Sequence, residues 1–473
     1  NSDLHIKCLL NIANLHAKKS DFKKSLSIYK KVFNIYKSNK NSNKIKFAQM
    51  LVSYANYQQL NGMFSEAEES FSYSEKLMKE LGDLDENESI FRKQSIFQTK
   101  MGNYQIAENK IRKAIQISSK IYGKNHTIYA SNLYALSSIL RLQNKFKEAK
   151  KMSNEAYLIY KSKEKSNRIA YFLALSNLAS QYFSEGNYEK AKSLKETALN
   201  GIYQIKGELG VNYISILESI GRINTKLGYY EIAIKQLKKG ASLKLNLFGE
   251  KSNSYASSLS NLGSFYYSTG DFIKSFQYHQ KSLKIREDLF GRNHFNIISS
   301  YSNLGSIYNE LGNYDLSEYY LKKCIQLRKK YLGVNHSLYA YSLNALGELY
   351  ISLNRYDEAE LLINSALKIN RKIYDQSHPY YASKLLTLGI LNKRKMNYDK
   401  SIYYIEQVKN IYKKKYGTKH LYYVNTISEI SEIFLMQEKY RKAYSLLKKI
   451  VTLNNRNNDN SHPWKYKVDL NFK

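Results

Sequence analysis

The sequence predicts an all-α solenoid of about eleven antiparallel helix pairs, and three observations carry that prediction. An aromatic residue returns every 42 residues along nearly the whole chain. Small residues occupy fixed places on either side of it, and glycine-containing turns separate stretches of helical periodicity. Self-similarity at such a period is typical of stacked units, each too small to bury its own apolar face alone.

The aromatic positions define the repeats and their boundaries. Only the step from Phe64 to Tyr104 departs from 42, by two residues. We place the repeat array at residues 4–463, and we interpret residues 464–473, where apolar and polar residues alternate, as an extended tail or a truncated next element. The anchors, one for each repeat, are Phe22, Phe64, Tyr104, Phe146, Tyr188, Tyr230, Phe272, Tyr314, Tyr356, Tyr398 and Tyr440.

The repeat that spans residues 295–336 shows the predicted helix pair most clearly. In its first half, residues with helical spacing form one stripe. Gly312 interrupts the pattern, Tyr314 opens a second helix, and Gly333 closes that helix at a position where a left-handed C-cap is expected. The stripe consists of Ile298, Tyr301, Leu304, Gly305 and Tyr308.

Two rows of small residues predict where the helices of a pair cross. Every residue nine positions before an anchor, and every residue three positions after it, is glycine, alanine or serine. Close approach of two helices requires small side chains at the crossing point. Glycine inside a helix costs about 1 kcal/mol relative to alanine, so the five glycines in the first row need such a packing reason. They are Gly221, Gly263, Gly305, Gly347 and Gly389.

These motifs resemble the tetratricopeptide repeat. The segment Tyr301-x-x-Leu304-Gly305-x-x-Tyr308-x-x-x-Gly312-x-Tyr314-x-x-Ser317 follows the pattern of that family. The 42-residue length, with Gly-x-Asn-His or Ser-His-Pro between repeats, is similar to the kinesin light chain subtype. The resemblance implies a right-handed superhelix whose concave groove is lined by the first helix of each pair, and it specifies fold far more than function.

The resemblance assigns a set of polar and basic side chains to that groove. In the resembling light chains the groove takes acidic peptides with an aromatic anchor. An asparagine carboxamide can donate to and accept from a peptide backbone at once, and a small serine leaves room for the peptide. The alternative is that asparagine before Leu-Gly belongs to the repeat pattern alone. The candidate groove residues are Asn177, Ser180, Arg222, Lys226, Asn261, Ser264, Asn303, Ser306 and Asn344, with Lys393 as a further basic residue.

The sequence also departs from the light chains. They typically carry two successive asparagines before the leucine, whereas this chain has Ser260-Asn261 and Ser302-Asn303. It also has eleven repeats, about twice the usual number, and shows no heptads that would bind kinesin. These differences argue against a motor-adaptor role.

Charge and composition narrow the class of partner only coarsely. Lysine plus arginine number 74 against 40 acidic residues, a formal net charge of +34. Such a field attracts nucleic acid, anionic membrane or acidic peptide alike. No run of about 18 apolar residues is present, so no membrane span is predicted. Cys8 and Cys324 form no disulfide framework, which favours a reducing, cytoplasmic setting, and Cys324 is predicted to be a buried small side chain.

Periodic histidines precede the first helix of several repeats. A ladder of metal or proton sites would need them close together, but packed helices lie roughly 10 Å apart, too far for one ion. A turn or capping role is therefore the better interpretation. The six are His126, His294, His336, His378, His420 and His462. Because no nucleotide-binding glycine loop, H-E-x-x-H or C-x-x-C motif occurs, we predict no enzymatic activity, metal or cofactor.

Repeat three is predicted to be the weakest unit. It contains an acidic cluster at residues 82–88, and Gln94 stands where other repeats place an apolar or aromatic residue. The repeat is either a hinge or a drifted unit with a solvated loop.

Three functions remain open at this point. The leading one is a protein-interaction scaffold that grips extended, acidic or aromatic-acidic segments. The alternatives are a basic helical-repeat binder of nucleic acid and a sensor or oligomerisation arm of a larger effector protein. The groove is mostly uncharged, and the period is not that of one-base-per-repeat RNA readers, which counts against nucleic acid.

Overall fold

The computed structural model describes residues 2–18, 22–38, 43–81, 84–418 and 420–455. Within these ranges it contains 22 α-helices, one short 3-10 helix at Phe295–Ile297 and no strand, which confirms the all-α prediction. The helices are α1 Ser2–Lys18, α2 Phe22–Ser38, α3 Lys44–Leu60, α4 Phe64–Leu81, α5 Leu84–Lys100, α6 Tyr104–Tyr122, α7 Thr127–Leu142, α8 Phe146–Ser162, α9 Arg168–Ser184, α10 Tyr188–Lys206, α11 Val211–Leu227, α12 Tyr230–Phe248, α13 Asn253–Ser268, α14 Phe272–Phe290, α15 Ile298–Glu310, α16 Tyr314–Leu332, α17 Ser337–Ser352, α18 Tyr356–Ile373, α19 Pro379–Arg394, α20 Tyr398–Tyr416, α21 Leu421–Met436 and α22 Tyr440–Asn455.

The helices alternate as the sequence predicts. Each of the eleven aromatic anchors is the first residue of an even-numbered helix, which is the second helix of its pair. Helices adjacent in sequence pack against each other throughout α1 to α8 and α15 to α22, which is the arrangement of a solenoid of helix pairs. No described helix is long and apolar enough to cross a membrane.

The turn inside each repeat has one fixed backbone feature. In every described repeat after the first, the residue two positions before the anchor has a positive φ, and most repeats place glycine there. Gly312 has a φ of 75°, whereas Met396 and Glu438 adopt 61° and 58° without being glycine. A side chain at such a φ costs roughly 1–2 kcal/mol in a left-handed conformation, so the turn is maintained by its surroundings at these two positions.

The turn after the second helix differs from the sequence prediction. Gly333 has the positive φ that was expected, but its ψ of 171° does not belong to a left-handed helical C-cap. This combination lies in a region that essentially only glycine occupies. The chain therefore leaves α16 in an extended direction, while the Gly333 N–H still donates to the carbonyl of Lys329 at 3.1 Å.

The predicted crossing points are confirmed by contacts between the two small-residue rows. The Ser317 hydroxyl donates to the carbonyl of Gly305 at 2.7 Å, and Ser401 makes the same bond to Gly389 at 2.7 Å. A Cβ added to Gly305 would lie 2.7 Å from Cγ of Leu321. The glycines thus allow the first helix to lie directly against the second.

The periodic histidines cap helices. In the described repeats the Nδ1 atoms of His126, His294, His336, His378 and His420 accept the backbone N–H two residues later, at 3.0–3.2 Å. The capping interpretation is confirmed for these five, and His462 lies outside the described residues. No group of three potential metal ligands occurs within the described residues.

The chain divides into two compact units. The first comprises Asn1–Leu178, Leu245–Ser257 and Leu283–Ile297, and the second Ala179–Lys244, Ser258–Ser282 and Ile298–Lys473. Each has cores in which residues of successive helices interlock. A core cluster of the first unit contains Phe91, Ile111, Leu136, Ile139 and Leu140, and one of the second contains Leu321, Leu346, Leu349, Ile363 and Leu388.

The structure describes Gln94 of repeat three and both cysteines. Gln94 is buried, and its amide donates to the carbonyl of Phe71 at 3.1 Å, while its own carbonyl oxygen has no hydrogen-bond partner. Of the acidic cluster at 82–88, residues 84–88 belong to α5 and not to a loop, and residues 82–83 lie outside the described residues. The tail at 464–473 also lies outside them, so the hinge and the tail stay predictions. Cys324 is fully buried, as predicted, and Cys8 is exposed.

In the first unit, the start of repeat eight contacts repeats two and three. The ring of Phe295 meets that of Phe64 edge-on at 5.1 Å, and Nζ of Lys100 lies 5.1 Å and 5.3 Å from the two ring centres. The backbone of Asn61 hydrogen-bonds the imidazole of His294. We call Phe64, Lys100, His294 and Phe295 the first seam.

In the second unit, the start of repeat eleven contacts repeats five and six in the same register. The ring of His420 stacks on Tyr416 at 4.5 Å, and its Nε2 lies 3.4 Å from the hydroxyl of Tyr188. Burial, together with the nearby charge of Lys226, lowers the pKa of His420 to about 4. We call Tyr188, Lys226, Tyr416 and His420 the second seam.

Candidate functional site

Most of the predicted groove residues lie on the first helices of repeats six to nine, in the second unit. Two register positions carry them, 11 and 8 residues before the anchor. These positions are three residues apart and therefore share a helix face. In helices α11, α13, α15 and α17 the first position holds Ser219, Asn261, Asn303 and Ala345, and the second holds Arg222, Ser264, Ser306 and Glu348.

The Asn261 side chain is half-buried beside an anchored carboxylate. Its Nδ2 donates to Oε2 of Glu218 at 3.4 Å. Glu218 itself is buried, accepts the Ser258 hydroxyl and pairs with Nζ of Lys244 at 2.8 Å. No described residue donates to Oδ1 of Asn261. One face of the carboxamide is thereby fixed, and its acceptor is left for another donor.

The Asn303 side chain is held in a similar way by a different neighbour. Its Nδ2 lies 3.2 Å from Nδ1 of His279 and 3.5 Å from the hydroxyl of Ser260. His279 is buried and occupies the position where the neighbouring repeats place Leu237 and Leu321. Sequence reasoning did not select His279, although a histidine in a row of apolar residues is the signal that would have revealed it.

Asn344 occupies a different position from the other two asparagines. It lies 12 residues before its anchor rather than 11, and only 5% of its surface is exposed. Its Nδ2 donates to Oε1 of Glu348 at 2.8 Å and to the hydroxyl of Thr387 at 3.2 Å. Thr387 holds the register of Asn261, so Asn344 supports the neighbouring polar residues instead of facing outward with them.

The predicted serines are small and bonded to their own helices. The Ser264 hydroxyl donates to the carbonyl of Ser260 at 2.9 Å, and the Ser306 hydroxyl to that of Ser302 at 3.2 Å. Such back-bonding satisfies the hydroxyl without extending it from the helix. Ser180 is half-buried on α9 in the second unit, and Asn177 is exposed on the part of α9 that belongs to the first unit.

The basic candidates have different environments. Arg222 is exposed and donates to the hydroxyl of Ser219 at 3.0 Å. Lys226 is exposed at its surface but belongs to the second seam, and partial loss of solvent around its ammonium group lowers its pKa below the usual range. Nζ of Lys393 is bonded to Glu429 at 2.7 Å and to Glu432 at 3.1 Å, so its charge is already compensated. Arg222 is therefore the basic candidate best placed to meet an acidic partner.

Comparison with known proteins agrees with this architecture. A family model described as tetratricopeptide repeat matches residues 89–162, 254–330, 296–372 and 380–456, which together exceed half of the chain. The chain belongs to the tetratricopeptide repeat family. No curated protein matches it in a sequence search.

Solved structures with a similar fold include a Rap protein complexed with Competence and Sporulation Factor. At 12% identity that structure has a TM-score of 0.55 and covers 79% of this chain and 99% of its own. BtubC (BKLC) from P. vanneervenii is 20% identical, covers 49% of this chain and 91% of its own, and has a TM-score of 0.39. A putative kinesin light chain from Podosopora anserina is 17% identical, covers 42% and 95%, and has a TM-score of 0.36. The Rap protein structure is similar to this chain in fold.

Proposed function

We propose that this tetratricopeptide repeat protein is a non-enzymatic scaffold that binds extended segments of other proteins along the first helices of repeats six to ten. The observation that carries the proposal is the row formed by Asn261, Asn303 and Thr387. Each asparagine has its amide nitrogen fixed by a neighbour, while no described residue donates to its carbonyl oxygen. Oriented amides of this kind suit the N–H groups of an extended backbone.

Acidic side chains in the bound segment are the second part of the proposal. Arg222 is exposed next to the asparagine row, and the whole chain carries a net charge of +34. That field would speed association with acidic partners and make it sensitive to salt. The Rap protein that shares the fold was solved in complex with Competence and Sporulation Factor, so this architecture can hold a bound factor.

A pull-down with matched variants tests the scaffold. The bait is the full chain at physiological salt in nuclease-treated native lysate, compared with the Asn261→Ala/Asn303→Ala double variant. The control is Asn200→Ala/Asn246→Ala, which removes two exposed asparagines from α10 and α12. We expect a set of proteins to be retained by the wild type and the control but lost from the double variant. Identical capture by all three baits would contradict the proposal.

Captured partners then provide the test of acidity. Synthetic peptides that tile a captured partner would be measured against the wild type and Arg222→Gln. Loss of one charged contact costs about 1.5–3 kcal/mol, so we expect at least about tenfold weaker binding of acidic peptides by the variant. Equal affinities would be compatible with the scaffold proposal but would contradict the preference for acidic segments.

A further inference from the structure

A row of exposed apolar side chains marks the second helices of repeats eight, nine and ten in the second unit. The position five residues after the anchor holds Tyr319, Leu361 and Tyr403, which are 54%, 71% and 63% exposed. In the other eight repeats the same position holds a polar or charged residue, for example Lys235 or Gln277. Single exposed apolar side chains are common, but a regular row of them indicates an interaction surface. We call Tyr319, Leu361 and Tyr403 the apolar row.

The apolar row lies on different helices from the asparagines of the proposed groove. Asn261 and Asn303 belong to first helices, and successive first helices contact one another, as α15 contacts α17 and α17 contacts α19. The apolar row belongs to the second helices α16, α18 and α20. A segment bound to the apolar row therefore occupies a surface separate from the groove.

The helices around the apolar row are acidic, although the whole chain has a net charge of +34. Over the eight positions that follow the anchors of repeats eight to ten, they carry seven acidic residues and two lysines. Arg355 and Lys395, from the turns between these repeats, pair with Glu358 at 2.7 Å and Glu360 at 2.8 Å. Even with these two cations, acidic residues outnumber basic ones by seven to four. The apolar row thus favours a segment that combines apolar side chains with positive charge.

Residues 464–473, which lie outside the described residues, have this composition. Strict alternation of apolar and polar residues is typical of an extended segment with one apolar face. Lysines flank that face, and their long stems allow the ammonium groups to reach carboxylates beside an apolar surface. The apolar residues are Trp464, Tyr466, Val468, Leu470 and Phe472, and the charged ones are Lys465, Lys467, Asp469 and Lys473.

The alternative, in which these residues begin the first helix of a twelfth repeat, conflicts with the register of the array. Each described histidine cap is followed seven residues later by a buried apolar or aromatic residue, such as Leu385 after His378, which is 3% exposed. Seven residues after His462 the sequence has Asp469. A helix in this register would bury a carboxylate in the core, which is costly without a partner.

The length of the chain allows the segment to reach the apolar row. Helix α22 ends at Asn455, and Trp464 follows nine residues later, a reach of about 30 Å at roughly 3.3 Å per residue. Ser445 is the α22 residue in the register of the apolar row, ten residues or about 15 Å before the end of the helix. Second helices of successive repeats lie roughly 20 Å apart, because one first helix separates them. The path from Asn455 to Tyr403 is then about 25 Å, which Trp464 can cover.

We propose that residues 464–473 bind along the apolar row of the same chain, with Trp464 against Tyr403 and Leu470 against Leu361. The six residues from Trp464 to Leu470 span about 20 Å when extended, which matches the separation of successive second helices. The interaction goes beyond the proposed scaffold, since it uses no residue of the groove and no other protein.

The fluorescence of Trp464 tests the proposal without a label, because the chain contains a single tryptophan. Acrylamide quenching is measured for the purified full-length wild type and for the row variant Leu361→Gln/Tyr403→Gln. The matched control, Leu158→Gln/Ile273→Gln, removes two apolar side chains that are 60% and 66% exposed on other second helices, α8 and α14. Thermal unfolding checks that both variants are folded, which we expect because the replaced side chains are exposed.

We expect Trp464 to be shielded in the wild type and the control, and to be quenched in the row variant as readily as in the free peptide of residues 456–473. Loss of one buried apolar side chain weakens an association about tenfold or more, so loss of two is enough to release the segment. Tyr319→Gln is a second control. Phe472 follows Leu470 by two residues, about 7 Å, which is too short to reach the next second helix, so shielding should persist in this variant.

Equal quenching of Trp464 in the wild type and the row variant would overturn the inference. If the tryptophan is exposed in both, residues 464–473 are not bound, and if it is shielded in both, they bind at another surface, such as the end of α22. Shielding that is lost on dilution of the protein would also overturn it, because the apolar row would then hold a second copy of the chain.

Discussion

The two seams occupy the same register but use different chemistry. In each, the start of the first helix of one repeat meets the anchor residue of the repeat six earlier. The first seam joins two phenylalanines and a lysine, whereas the second joins a tyrosine hydroxyl to an imidazole. The contact between the two phenylalanine rings contains no titrating group, whereas the hydrogen bond of the second seam depends on the protonation of one imidazole ring.

The imidazole of His420 in the second seam makes two hydrogen bonds at once. Its Nδ1 accepts the N–H of Tyr422 at 3.2 Å, so the neutral ring carries its proton on Nε2 and donates it to Tyr188. A protonated ring would lose the acceptor that caps α21. We therefore expect acid to destabilise the two seams to different extents, although both occur at the same place in the repeat.

The largest expected effect comes from Gly186→Ala, which disrupts the second seam sterically. Gly186 has a φ of +80°, and an added Cβ would lie 2.7 Å from Cδ2 of His420. The positive φ costs about 1–2 kcal/mol, and displacing the ring adds about 1–3 kcal/mol of overpacking. We expect the free energy of unfolding to fall by roughly 2–5 kcal/mol, as measured by urea denaturation.

Gly270→Ala is the matched control for the steric part. Gly270 has the same φ of +80° in the equivalent turn of repeat seven, with nothing within 4 Å of an added Cβ. Its cost should be limited to the backbone term of about 1–2 kcal/mol. If both variants lose the same stability, then contact with His420 does not constrain this turn.

The next largest expected effect is the pH dependence of stability, which differs between the two seams. The pKa of His420 falls from 6.5 to about 4 in the folded protein. Because the folded value lies below the unfolded one, stability is fully present above pH 6.5 and is lost as pH falls towards 4. That difference between the two pKa values corresponds to about 3 kcal/mol. His420→Asn keeps a capping side chain and does not titrate, so the stability of the wild type relative to this variant should decline by about that amount between pH 6.5 and 4.

His294→Asn provides the comparison in the first seam. Burial lowers the pKa of His294 too, but its hydrogen bond with the backbone of Asn61 opposes that shift. We therefore expect a smaller decline in relative stability over the same pH range. Equal declines for the two histidines, or no decline for His420, would show that the two seams do not differ in their response to acid.

The repeat pattern predicted the contacts within one repeat and missed the contacts between repeats that are far apart in the sequence. The helix starts at the anchors, the glycine crossings and the histidine caps all follow from interactions within about one repeat, so the sequence displays them at a fixed spacing. The seams join residues about 231 positions apart, and a 42-residue period does not predict which residues these are. Phe295 carried a weak signal, since the equivalent residues include Thr127, Ser337 and Leu421.

The candidate site divides in the same way. Asn261 and Asn303 were selected from their place in the repeat, and their partners Glu218 and His279 were not, because a neighbour on another helix is invisible to spacing within one helix.

The smallest expected effect is the interaction energy between the two phenylalanine rings of the first seam. A double-mutant cycle of Phe64→Leu and Phe295→Leu keeps apolar volume and removes the edge-on ring contact, which is worth about 0.5–1.5 kcal/mol. We expect that coupling energy in urea denaturation, and we expect the same value at pH 7.5 and pH 5 because neither ring titrates. Phe33→Leu combined with Phe295→Leu should be additive, since Phe33 packs on Phe47 and Tyr54 in the first repeats. Additivity of the Phe64 pair would mean that the two rings are neighbours without stabilising each other, and the first seam would then depend on Lys100 and His294 instead.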